Sequence, residues 1–298
     1  MNFEGIKRGI QHPETIKRKT RINLVRPFVS RSPEEIQILD RDWDVLIVLD
    51  ACRADLLEEA DPFDIPIQRV QSNASHTREF IEKNFVGIDC RDIVYVTASP
   101  QLAGFELSFA HIEHVWRNHW DEQLRTVRPE DVTAAALSLD KDYPDKRIIV
   151  HYMQPHYPFI GPTGREIDEQ ATFGPNRGSE YASIWVQLAA GHVSETTVRK
   201  AYRENLDIVL PEIDELRTEM PGKIVLTSDH GNLFGKRVSW LPFRLYGHPP
   251  EIHDPELTAV PWVEFPFEQR RSTDSAEEAA ETEQFEDIEE RLRDLGYQ

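Results

Sequence analysis

Val45-Leu-Ile-Val-Leu49 runs without polar alternation and ends on Asp50, and two later segments repeat that form. Arg147-Ile-Ile-Val150 leads into His151 and then into His156 between prolines; Lys223-Ile-Val-Leu-Thr-Ser228 leads into Asp229-His230-Gly231. Short aliphatic runs of this kind read as strands buried on both faces, which requires helices above and below a mostly parallel sheet. The expected fold class is therefore α/β: a doubly wound, mostly parallel sheet with helices on both faces. In such sheets ligands bind beyond the carboxyl ends of the strands. Asp50, His151, His156, Asp229 and His230 all fall at or near that position. Asp50 alone has a plainer reading as a helix cap. Capping accounts comfortably for one such strand end, not for the whole set.

The remaining chain fits around these three runs. Further strands are expected at Ile67–Val70, Asp92–Ala98 and Leu257–Phe265, the last interrupted by Pro261 and so placed at a sheet edge. Helices are expected over Arg53–Ala60, from Phe80 onward, over Pro129–Leu139 and over Glu195–Leu216, where Ala201, Leu206, Val209, Leu210, Ile213 and Leu216 keep helical spacing. Residues 160–190, rich in Gly, Pro and polar side chains, read as a long loop or lid. Gln101–Trp120 shows no clean period, and its His111 and His114 read as an incidental pair rather than metal ligands. Ser72-Asn-Ala-Ser75-His-Thr77 is a hydroxyl-rich turn entering a helix. Capping explains it, but a nucleophile there would also gain from helix-terminal N–H groups that favour anions.

The 298 residues divide into a basic N-terminal arm (1–40), a main domain (41–266) and an acidic linker with a short helix (267–298). Residues 1–31 carry eight Lys or Arg against two Glu, a net of +6, while the whole chain carries −19. The arm reads as a strap across the acidic body, with peripheral docking on an anionic membrane surface as the alternative. Its apolar residues are too scattered to define an amphipathic helix. Net charge of this size argues against nucleic acid as a partner. With Arg outnumbering Lys, it suggests a halophilic protein kept soluble in high salt. No apolar run is long enough to cross a bilayer and no signal-peptide centre is evident, so the expected location is cytoplasmic. Cys52 and Cys90 suggest no disulfide framework.

Two carboxylates and an imidazole suit a divalent metal, and a hydroxyl beside that metal becomes a usable nucleophile near neutral pH. Further histidines would bind the transferred anion or protonate a leaving group. This equipment suits transfer of a phosphoryl or sulfuryl group. No Gly-rich phosphate loop follows Asp50, which excludes the nucleotide-binding reading.

The motifs Val-Leu-Ile-Val-Leu-Asp50-Ala-Cys-Arg53-Ala-Asp55, Gln154-Pro-His156-Tyr-Pro158, Thr227-Ser-Asp229-His230-Gly231 and Leu292-Arg-Asp-Leu-Gly296 resemble, in order and wording, the sulfatase-like branch of the alkaline phosphatase superfamily. The resemblance runs from about residue 43 to the C-terminus. It implies one divalent metal (Mn²⁺, Mg²⁺, Zn²⁺ or Ca²⁺, with Mn²⁺ or Zn²⁺ favoured) held by Asp50, Asp229 and His230. It implies Ser75 as the nucleophile with Thr77 as the alternative, His156 as the anion-binding histidine, and His248, His151 and Arg53 as further substrate-binding groups. Two departures bear on the substrate. Ala51 follows Asp50 where sulfatases carry a second carboxylate, and the formylglycine signal is absent. The chain therefore looks closer to phosphoglycerol-transferring relatives such as lipoteichoic-acid synthase, which implies a phosphoester substrate, glycan- or lipid-linked. The rival is a non-catalytic member that binds an anionic glycan or lipid headgroup.

Overall fold

The computed structural model describes residues 13–29, 34–173, 183–274, 279–280 and 288–296. Eight strands make the main sheet: β1 (Glu35–Ile36), β2 (Val45–Asp50), β3 (Gln68–Ser72), β4 (Asp89–Thr97), β5 (Ser108–His114), β6 (Arg147–Pro155), β7 (Ile224–Ser228) and β8 (Ala259–Glu264). Their order across the sheet is β1-β3-β8-β7-β2-β6-β4-β5. Every neighbouring pair is parallel except the two made by β8. All six residues of β2 are buried, and it lies between β7 and β6. A strand with neighbours on both edges and helices on both faces has no place for a polar side chain until its end, which is why its sequence is aliphatic up to Asp50.

Among the described residues, the helices of seven residues or more are α1 (Pro13–Val25), α2 (Ala54–Ala60), α3 (Thr77–Phe85), α4 (Pro129–Asp142), α5 (Pro162–Phe173), α6 (Ile184–Ala190), α7 (Glu195–Glu219) and α8 (Ile288–Asp294). Alternate residues of β2 serve opposite faces, as the pleat dictates. Val45, Ile47 and Leu49 pack with Val132 and Ala136 of α4 and with Ala201, Leu206, Val209 and Ile213 of α7. Leu46 and Val48 pack with Phe80, Ile81 and Phe85 of α3. The doubly wound, mostly parallel architecture anticipated from the strand ends is the one observed.

Three expectations need correction. Strand β8 is not at an edge but between β3 and β7, despite Pro261. Proline lacks only the donor, and its carbonyl still accepts from the Thr227 hydroxyl of β7 at 2.8 Å. Residues 160–190 are not a plain loop, since α5 and α6 occupy both ends; 174–182 lie outside the described residues. The basic arm contains a helix after all. Ile22 and Val25 of α1 are buried against Leu233, Leu245, Ile252 and Leu257 of the body, although residues 1–12 lie outside the described set. In the acidic C-terminal segment, Leu295 is buried and Ile288 packs on the core, whereas Phe285 lies outside the described residues. Both cysteines are buried and free. No described helix is long and apolar enough to cross a membrane.

Candidate functional site

Parallel pairing sets the candidate site. Val48 of β2 is in register with His151 of β6 and with Thr227 of β7, so the carboxyl ends of the three strands come side by side. Asp50 closes β2, and Asp229 and His230 follow β7 directly. His230 Nε2 lies 3.6 Å from Asp50 Oδ1 and 3.4 Å from Asp229 Oδ2. From β6, His151 Nε2 lies 3.9 Å from Asp229 Oδ2, and Asp50, His151 and Asp229 offer ligand atoms within 4.8 Å of one another. Thr77 is the first residue of α3. Its Oγ1 sits 3.4 Å from Asp50 Oδ2 and 3.3 Å from His230 Nε2. All five side chains are buried.

The polar atoms of this group are not all satisfied from within the protein. Asp229 Oδ1 accepts from the amides of Ala51 (2.9 Å) and His230 (2.8 Å). Asp229 Oδ2 and His151 Nε2 are buried with no hydrogen-bond partner among the described residues. Buried polar atoms in that condition are costly unless something reaches them. The imidazoles point to what that is. His230 Nδ1 lies 2.8 Å from the carbonyl of Gly231, and a carbonyl only accepts, so Nδ1 carries the proton and Nε2 presents its lone pair to the carboxylates. His248 Nδ1 is fixed likewise by Asn232 Oδ1 at 3.0 Å, and His156 Nδ1 by the carbonyl of Tyr157. Burial lowers the pKa of His230 to about 3 and that of His151 to about 4. For His156, burial and then the neighbouring His230 bring it to about 3, and His248 is pushed well down by the same causes. Neutral rings with oriented lone pairs beside two carboxylates are the donor set of a divalent cation site.

The other expected residues sort clearly. His248 joins the group, its ring 4.8 Å from that of His230 and 4.9 Å from that of His156. His151 stands among the candidate metal donors rather than as a separate substrate contact, with Nδ1 2.9 Å from the Tyr95 hydroxyl. Ser75 does not join: its hydroxyl and amide both donate to Glu79 Oε2, at 2.8 and 2.9 Å. Glu79 is itself held by His253 and Lys83, at 2.9 and 2.8 Å. Arg53 also turns away. Its guanidinium is engaged by Asp55, by Glu256 and by the carbonyl of Asn232, so it clamps the loop after β7 instead of facing the carboxylates. His111 stacks on Tyr143 and His114 packs on Trp116.

One supporting residue was not visible in the sequence. Tyr202, from the middle of α7, donates to the carbonyl of Ala51 and accepts from the amide of Arg53 at 3.1 Å. It thereby holds the turn that follows Asp50, where Ala51 has φ +59°. A non-glycine residue in that left-handed region costs of the order of 1 kcal/mol, and the tether from α7 together with Asp229 fixes it. Its only trace in the sequence is a tyrosine on the core-facing side of an amphipathic helix.

No family model and no curated protein matches this chain. Solved structures do. Lipooligosaccharide phosphoethanolamine transferase A of Neisseria meningitidis, an integral membrane protein, is 16% identical over 80% of this chain with a TM-score of 0.48; this chain spans about half of it, 49%. The C-terminal periplasmic domain of EptC from Escherichia coli is 12% identical over 80% of this chain and 77% of its own, TM-score 0.46. The phosphonate monoester hydrolase of Silicibacter pomeroyi is 14% identical over 78% and 69%, TM-score 0.38. Each of these three likenesses has a TM-score below 0.5, so the site itself has to carry the chemistry.

Proposed function

We propose that this chain is a metal-dependent phosphoester hydrolase or transferase with Thr77 as its nucleophile. The observation that carries this reading is the position of Thr77 Oγ1, within 3.4 Å of both Asp50 and His230 at the first turn of α3. Asp50, Asp229 and His230 would hold the divalent metal, with His151 in reach of the same carboxylates; carboxylate and imidazole donors suit Mn²⁺ or Zn²⁺. The metal, when bound, supplies a lowered pKa at an adjacent hydroxyl and stabilisation of charge on oxygen.

The chain's own residues divide the remaining work. Thr77 Oγ1, its proton released to solvent, forms the bond to phosphorus while the bond from phosphorus to the substrate's ester oxygen breaks and that oxygen takes a proton from water. The N-terminal amides of α3 favour the phosphoryl anion there. His156 and His248, their Nδ1 protons committed to Tyr157 and Asn232, turn Nε2 into the site as hydrogen-bond acceptors that orient a protonated oxygen of the substrate or of the incoming water or acceptor hydroxyl. Water, or an acceptor hydroxyl, then releases the Thr77 ester. The test is an assay on p-nitrophenyl phosphate, a phosphodiester and p-nitrophenyl sulfate, with chelator and then with Mn²⁺ or Zn²⁺ restored. We expect phosphoester turnover that chelator abolishes and metal restores; anion binding without turnover on any of the three would favour the non-catalytic alternative.

A further inference from the structure

Helix α1 brings Arg18 and Arg21 against a two-stranded ribbon, Leu233–Lys236 with Leu245–Gly247, that leads into His248. With Ile22, Arg244, Leu245 and Tyr246, and with α6 on the remaining side, they line a cleft. Three guanidinium groups share it, and among the described residues no carboxylate lines it. In a chain of net charge −19, whose arginines elsewhere are repeatedly paired with acids, that grouping needs an explanation. Arg244 donates to the carbonyl of Gly235 at 2.5 Å. Arg18 is in a different position: its Nε is buried with no hydrogen-bond partner among the described residues, and burial disfavours its charged form. The side chain as a whole is half-buried; a buried guanidinium N–H without an acceptor is costly, and phosphate or carboxylate oxygens are the acceptors the planar fork fits.

The cleft adjoins the candidate catalytic group. Tyr246 lines it, and His248, two residues on, packs against His230 and His156. The charge of Arg18 reaches His248, where it adds to burial and to the neighbouring imidazoles in keeping that ring neutral. We propose that the cleft under α1 is a second anion subsite, in which Arg18, Arg21 and Arg244 hold a distal anionic group of the substrate. The substrate class is then a phosphoester that carries a second phosphate or carboxylate, with the connecting part packed on Ile22, Leu245 and Tyr246. Assigning that anion to the substrate rests on the phosphoester chemistry proposed above. The basic arm, on this assignment, is part of the specificity apparatus.

The experiment is calorimetric titration of the full chain with inorganic phosphate in EDTA, so that the metal centre contributes nothing. Wild type and Asp229→Asn should bind phosphate alike, Arg18→Gln should lose about tenfold or more in affinity, and Arg18→Lys should recover part of it. Circular dichroism checks the fold of each, with Arg244→Gln as the second variant should Arg18→Gln not fold. Phosphate binding that survives both arginine variants, or that Asp229→Asn removes as fully as Arg18→Gln, overturns the subsite. A kinetic arm compares p-nitrophenyl phosphate with an ester bearing a second phosphate. Arg18→Gln should lower the kcat/KM preference for the doubly charged ester about tenfold, mainly through KM. An unchanged preference overturns the substrate class. Arginine-dependent phosphate binding with no turnover on any ester would instead remove the catalytic reading and leave the anion site in place.

Discussion

Ser75 and Thr77 are two residues apart, both buried, and both in a turn that opens α3, yet only one faces the carboxylates. Ser75 lies before the helix and His76 between them is extended, with Thr77 opening the helix; Thr77 Oγ1 lies against Asp50 and Ser75 is a donor to Glu79. Thr77→Ala should therefore lower phosphoester turnover about a thousandfold or more while the fold persists, as read by kcat and by far-UV circular dichroism. Ser75→Ala should retain most of the activity and cost about 1–2 kcal/mol of stability, because it removes one hydrogen bond to a buried carboxylate. Loss of turnover in Ser75→Ala with an active Thr77→Ala would reverse the assignment.

At the scale of elements, two long-range ties hold the strand that bears Asp50. At its far end, Tyr202 of α7 bonds the carbonyl of Ala51 and the amide of Arg53. Tyr202→Phe deletes both bonds inside the protein. A loss of about 1–3 kcal/mol is expected, seen as a lower denaturant midpoint with an unchanged slope; a midpoint equal to wild type would show that the tether is not needed. At its near end, Asp44 accepts from the amides of Lys223 and Arg271, at 2.7 and 3.1 Å, and from two nitrogens of Arg270, at 2.7 and 2.8 Å. This stitches the segment after β8 to the start of β2. Burial alone would raise the Asp44 pKa, but those donors, Arg270 foremost, bring it below its ordinary value. A carboxyl more acidic when folded than when unfolded stabilises fully above about pH 4 and ceases to do so as the pH falls through its folded value. Asp44→Asn should thus cost about 2 kcal/mol at pH 7, and the gap to wild type should narrow at about pH 3. A gap independent of pH would mean that the charge of Asp44 is not what matters.

For the whole molecule, the charge of −19 is the dominant long-range fact. Several of its ion pairs are exposed, such as Arg199 with Glu195 and Arg203 with Asp207, and pairs of that kind contribute little each. They do not cancel the repulsion of the acidic excess, which is screened over about 10 Å at 0.1 M salt and about 3 Å at 1 M. On the proposal of a halophilic protein, the melting temperature should rise from low salt to about 1 M KCl. A flat profile across that range would falsify it.

Much of the architecture could be read from the chain because buried strands have a local signature. Val45–Leu49, Ile148–Val150 and Ile224–Leu226 are aliphatic because each lies inside the sheet, and each is followed by ionisable residues because the sheet ends there. The pairing of Asp50 with Asp229-His230 followed from that pattern. What the sequence could not carry was direction and neighbourhood. The turn into α3 decided Thr77 over Ser75, and a partner from α7 fixed Ala51. Pro261 pointed to an edge because a lost donor is a local fact, whereas the Thr227 hydroxyl that meets its carbonyl arrives from another strand. Arg18 read as one more charge in a basic arm until the fold set it in a cleft beside His248. Composition and periodicity report what each residue tolerates; only the tertiary structure decides which residues meet.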